Sequence, residues 1–325
     1  MKLRVVIVAL LGLALAVYLV AYTGIGAVFS AVVAVGWSGF ALLCLYALGL
    51  FVVLGGAWHV LLAESSPANL RVFVWARMIR DAATDVLPFS QLGGIVLGAR
   101  AAILHGVPEP LVYASTIVDV TTEMLAQIAY VALGVLILDL RAPPTSFAQS
   151  LLKALLIGVA CAVAAAGVFL ALQRHGHRVI EKFTARILPG ALQRTMAVST
   201  ALKSIYRSRA RVGASMVLHG VGWIASAIGA WIAFRLIGVR VELKSVLALE
   251  SLVCAIRSTA VFIPHALGAQ EAAYAALSPL FGIGAEFGLA VSVLKRARDL
   301  ALGIPILLIW QAIEGHRARS RPAVG

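Results

Sequence analysis

Charge is scarce in this sequence, and negative charge most of all. Only 13% of the 325 residues are charged, with 14 Asp and Glu against 27 Lys and Arg, while 62% are hydrophobic. Soluble domains carry about 25% charged residues. Repeated apolar runs long enough to cross a bilayer place the chain among polytopic helical membrane proteins instead. Cysteine is nearly absent: Cys44, Cys161 and Cys254 lie in apolar runs without ligand spacing, so they read as small buried hydrophobes. The histidines form no ligand pattern, and only His265, beside Pro264, invites a functional test.

Enzyme signatures are missing as well. The sequence has no His-Glu-x-x-His helix, P-loop, Gly-x-Ser-x-Gly elbow or paired-aspartate motif, each of which carries a defined chemistry. A chain that is not an enzyme is expected, with no catalytic residue, metal site or cofactor. The net charge of +13 would suggest nucleic acid in a soluble protein. Here the basic residues flank apolar runs, so topology and anionic headgroups account for them, and no nucleic-acid partner is expected.

Six spans are expected, at about 5–22, 39–62, 110–138, 151–172, 212–238 and 286–310. The first is read as a retained helix rather than a cleaved leader, because no clear small-residue cleavage site follows it. Two further stretches, 73–106 and 244–281, are apolar but broken by Pro, Gly and charge. They read as re-entrant helical hairpins, which a membrane tolerates only where protein or water satisfies the backbone. The fold class is therefore all-α polytopic, about six spans plus two broken hairpins, in a single transmembrane domain over 1–325.

Basic residues set the orientation. Lys2, Arg4, Arg71, Arg100, the connection at 173–211 and the tail Arg317, Arg319 and Arg321 fall on one side, against Arg141, Arg240 and Lys244 on the other. The positive-inside rule then puts both termini in the cytoplasm, as expected of a multi-pass protein of a bacterial inner membrane. The connection, broken at Leu188-Pro189-Gly190, is either a solvated loop or an amphipathic helix on anionic headgroups.

The stretch from Arg77 to Glu123 concentrates what a membrane sequence usually avoids. Arg77, Arg80, Asp81 and Asp85 precede the breakers Pro88, Gly93 and Gly94 with Gln91 between them, and Arg100, Asp119 and Glu123 follow. An unpaired charge in hydrocarbon costs about 2.5–3.5 kcal/mol on insertion scales, so such residues face a partner or a cavity. Asp119 and Glu123 share a helix face at i, i+4. They read either as structural partners of Arg77, Arg80 or Arg100, or as a proton-coupling or substrate-amine site.

A second half echoes the first. Glu123 follows Pro88 by 35 residues and Asp299 follows Pro264 by the same 35, a common shift of 176 that carries Asp119 onto Lys295. Repeats at 39–138 and 212–314 are expected, inverted because an odd number of crossings separates them. Inverted repeats with broken helices are transporter architecture. In the second half Glu250 and Arg257 share a face at i, i+7 and are expected to neutralise each other, as are Arg77 and Asp81 in the first. Gln270 and Glu271 follow the Gly268 break, where a carboxylate caps a restarting helix. Lys295, Arg296, Arg298 and Asp299 either bridge the halves or, through Arg296 or Arg298, bind phosphate.

These residues carry a resemblance. Arg77-Met78-Ile79-Arg80-Asp81, Leu87-Pro88-Phe89-Ser90-Gln91-Leu92-Gly93-Gly94, Gly98-Ala99-Arg100-Ala101 and Ser115-Thr116-Ile117-Val118-Asp119-Val120-Thr121 resemble the HpnL family, membrane proteins associated with hopanoid biosynthesis. That family lies within the wider group of the lysylphosphatidylglycerol synthase transmembrane, flippase-like region. Ile263-Pro264 to Gly268-Ala269-Gln270-Glu271-Ala272 is similar to that group's Pro/Gly-then-Glu element. The first half departs from it, with Ile95 where a Glu would match Glu271. The aminoacyltransferase domain of full synthases is absent from this chain, so lysyl transfer is not implied. The resemblance implies translocation of a lipid, a hopanoid or an anionic or modified phospholipid, with lipid-biosynthesis enzymes as possible partners. The alternative is a non-catalytic scaffold for such enzymes, in which the intramembrane charges are structural only.

Overall fold

A computed structural model describes residues 25–62, 68–87, 90–141, 146–175, 192–259, 266 and 268–320. Among them the chain is all helical: ten α-helices and one 3-10 turn. In order these are α1 (Ile25–Val60), α2 (Leu70–Val86), α3 (Ser90–Leu104), α4 (Glu109–Arg141), α5 (Ser146–His175), α6 (Leu192–Arg207), α7 (Arg209–Leu236), α8 (Leu243–Thr259), α9 (Ala269–Leu277) and α10 (Ala285–Ser320).

Among the described residues four stretches are long and apolar enough to cross a membrane: Val33–Val60, Glu109–Leu140, Gln149–Gln173 and Arg209–Leu236. They coincide with the expected spans at 39–62, 110–138, 151–172 and 212–238. The expected span at 5–22 lies outside the described residues. The sixth, 286–310, is a continuous helix but not an apolar one, because Lys295, Arg296, Arg298 and Asp299 sit inside α10. Large apolar side chains such as Leu45, Leu136, Ile157 and Val217 are exposed. In water such a surface would drive association, whereas in a bilayer it faces solvent of its own kind.

Two helical hairpins replace straight spans. Helix α2 is capped at its start by Asn69, whose side chain accepts from the Arg71 N–H, and at its end by Leu87. Helix α3 returns antiparallel along it. A Cβ on Gly94 would stand 2.4 Å from the Arg80 carbonyl oxygen, and one on Gly98 would stand 3.0 Å from that of Ala76. Gly93 and Gly94 are thus not breakers, as the sequence suggests, but interior residues of α3. Gly94 is there because two helix backbones touch. The turn is complete by Ser90, and Pro88 lies outside the described residues. The second hairpin runs from α8 to α9, with Pro264 also outside them. Gly268, at φ 76°, caps α9 and donates its N–H to Glu271 Oε2 at 2.9 Å.

Helix α6 is what the structure describes of the basic connection beyond the end of α5 and ahead of α7; the break at Leu188-Pro189-Gly190 lies outside the described residues. Its Ala201 and Ile205 are buried in the apolar cluster that also holds Phe73, Ala102 and Val118, so this helix packs on protein. Elsewhere α1 packs on α7, α4 on α7 and α8, and α10 on α1 and α2. These contacts leave a cavity among α1, α2, α4, α7, α8 and α10.

Candidate functional site

The cavity has a volume of about 520 Å³, and its helices line it with stripes at helical spacing. Helix α2 presents Arg77, Arg80, Asp81, Thr84 and Asp85, and α4 presents Val120, Glu123, Met124, Gln127 and Tyr130. Helix α8 adds Glu250, Cys254 and Arg257, and α10 adds Lys295, Arg298, Asp299 and Gly303. Residues three or four apart on a helix share a face, which is why charges dispersed in the sequence converge here. Helix α1, by contrast, contributes only Ala47, Leu50, Phe51 and Leu54. The site thus has charged walls and one apolar wall.

Two networks hold the charged walls. In the first, Arg77 Nε donates to Asp81 at 2.8 Å and its Nη2 to Glu123 at 2.7 Å. Arg80 Nη1 donates to Asp119 at 2.8 Å and Nη2 to Glu123 at 2.5 Å. Asp119 is 0% exposed, and its second oxygen lies 3.0 Å from His219 Nε2 on α7. In the second network Lys295 Nζ donates to Glu250 at 2.5 Å and to the Tyr274 hydroxyl at 2.8 Å, while that hydroxyl also donates to Glu250. Arg298 pairs with Asp299 at 2.7 Å. Taking paired charges out of water is tolerable only with such multiple hydrogen bonds.

Several residues stand elsewhere than the sequence suggests. Arg100 is exposed and pairs with Glu314, away from Asp119 and Glu123; its position on α3 turns it to the far side of the hairpin. Glu250 and Arg257 do not neutralise each other, because Tyr274 and Lys295 reach Glu250 first. Arg257 makes no hydrogen bond or ion pair among the described residues, although it lines the cavity. Arg296 is not poised for phosphate: it is 1% exposed and bonded to Glu271 at 2.6 Å. Lys295 is bonded to Glu250 and Tyr274, and Asp299 to Arg298. Gln270 is buried against Ser292 at 2.9 Å, off the cavity, and the side chain of Gln91 lies outside the described residues, as does His265.

Sequence reasoning passed over His219 and Tyr274. His219 is a lone ionisable group inside an apolar span, which is a signal in itself. Its Nδ1 is buried and has no hydrogen-bond partner among the described residues. Among the described residues no group of three His, Cys, Asp or Glu side chains is placed to hold a metal.

No curated protein and no solved structure matches the chain. The family model of the lysylphosphatidylglycerol synthase TM region does match, over residues 5–306, and this multi-pass membrane chain, with its lipid-related function, belongs to that family.

Proposed function

We propose that the chain carries a polar-headgroup lipid, a hopanoid or a phospholipid, from one leaflet to the other without chemically altering it. The observation that supports this most is the amphipathic cavity, charged on α2, α4, α8 and α10 and apolar on α1. A lipid headgroup needs a hydrated charged path, and its tails need an apolar flank. In this reading the protein sits in a bacterial inner membrane with both termini cytoplasmic, and lipid-biosynthesis enzymes deliver or receive the cargo.

The arrangement of helices supports an alternating mechanism. Helix α4 begins at Glu109 and α10 at Ala285, the shift of 176 seen in the sequence. The pairing of α4 with α7 and α8 has its counterpart in the pairing of α10 with α1 and α2. Two inverted halves rocking about α1 and α7 would expose the cavity to each leaflet in turn.

The density of ion pairs favours a second reading, a scaffold whose buried charges only hold helices together. Reconstituted liposomes separate the two. On the carrier reading, protein-containing vesicles move a labelled lipid between leaflets faster than empty ones. On the scaffold reading they do not, and Glu123→Gln lowers only the protein's abundance.

A further inference from the structure

We propose that His219 is the carrier's proton site: its Nδ1 takes a proton from the cavity and gives it back as the helices rock, so that a proton gradient drives the cargo. This rests on the carrier reading and adds the source of its energy. His219 is fully buried and stands in the cavity wall. A carboxylate only accepts hydrogen bonds. The 3.0 Å contact between Asp119 Oδ1 and Nε2 therefore places the hydrogen of the neutral ring on Nε2. That leaves Nδ1 as a bare lone pair, and among the described residues nothing donates to it.

The charges around this ring are one proton short of neutral. Arg77 and Arg80 of α2 are bonded to Asp81, Asp119 and Glu123. Every carboxylate in that network has a guanidinium partner, yet two cations stand against three anions. Across the cavity Lys295 pairs with Glu250 and Arg298 with Asp299, while Arg257 and Asp85 add one charge of each sign. The other titratable neighbours are neutral: Tyr130 of α4 stacks on Trp223, Tyr46 of α1 donates to the Ala225 carbonyl at 2.8 Å, and Cys254 of α8 accepts from Gln127. Lys203 and Arg207 of α6 point away and are exposed. A net charge held out of water is costly, and an imidazolium at His219 would cancel it without needing space for a larger ion.

The same proton changes how the helices hold together. With both partners ionised, the His219–Asp119 contact gains a charge–charge attraction that low dielectric strengthens. That contact joins α7 to α4, and the other oxygen of Asp119 holds Arg80 of the first hairpin at 2.8 Å. Loading tightens α7 against both elements and unloading loosens it, which is how a histidine biases a two-state structure.

The test uses the full chain and two readouts. In detergent, nitrogen-15 histidine spectra are recorded, with His219 assigned by the signal missing from His219→Gln. Nδ1 is expected to gain a proton within the ordinary histidine range, about pH 5 to 8. A histidine that only braces helices keeps one form throughout, and that result overturns the proposal. The second readout is leaflet transfer in phosphatidylcholine vesicles holding a trace of NBD-labelled phosphatidylethanolamine, with the membrane potential clamped. An imposed gradient of about one pH unit should skew the label between leaflets by up to about tenfold, the limit for one proton per lipid. His219→Gln of matched melting temperature should lose this response, and a response that survives in it overturns the proposal. Wild-type transfer indifferent to the gradient also overturns it, leaves the carrier reading intact and depends on no variant. Titration of His219 without any transfer overturns the carrier reading and the coupling built on it, and leaves the proton site in place.

Discussion

His219 Nε2 and Asp119 Oδ1 meet at 3.0 Å, both fully buried, and this contact ties α7 to the charged network of α2 and α4. Beside it the Thr122 and Ser215 hydroxyls lie 3.0 Å apart, a second polar bond between the same two helices. Replacing His219 by Ala removes a donor from a buried carboxylate, which costs about 1–3 kcal/mol. The melting temperature of His219→Ala in detergent should fall accordingly. His219→Gln, whose amide can donate to Asp119, should recover part of the loss.

Arg77 and Glu123 are bonded twice, by Nη2 at 2.7 Å and Nη1 at 3.2 Å. Truncating one partner of a buried pair strands the other, at about 3–5 kcal/mol. Arg77→Ala and Glu123→Ala should each destabilise by that order, and the double variant by clearly less than the two together. Additive losses in unfolding experiments would show that the pair is not coupled.

Gly93 and Gly94 separate a close helix contact from ordinary helix propensity. A Cβ on Gly94 meets Thr84 and the Arg80 backbone, whereas a Cβ on Gly93 meets nothing within 4 Å. Gly94→Ala should therefore destabilise by about 1–3 kcal/mol through overpacking. Gly93→Ala should be neutral or stabilising by up to about 1 kcal/mol. Thermal denaturation of the two single variants reads the contrast directly.

Arg100 and Glu314 make an exposed pair between α3 and α10. Such pairs contribute about 0–1 kcal/mol, so Arg100→Ala should leave the melting temperature nearly unchanged. A large loss would mean that this contact carries more of the packing between the two helices than its exposure allows.

Helix positions were legible because apolar runs and breakers are local signals. The Arg77–Asp81 bond was readable for the same reason, since i, i+4 spacing places the partners together on any helix. The partner of Glu250 was not legible. Arg257 shares its helix face, but Tyr274 and Lys295 reach it from α9 and α10, and no local rule ranks a tertiary partner above a neighbour. Gly94 misled because glycine marks both breaks and close approaches, and only the second helix shows which. His219 stood in view as an ionisable group in an apolar span, yet its partner lies 100 residues away.

The central claim is that lipid crosses through the space between the helix sets. Ser226 lines that space on α7 and takes no part in either charge network, so Ser226→Trp plugs the cavity without touching an ion pair. The decisive measurement is leaflet transfer of labelled phospholipid in liposomes holding wild-type or Ser226→Trp protein of matched thermal stability. The account predicts transfer by the wild type and its loss in the variant. Equal rates in the two, or no transfer by either, would contradict it.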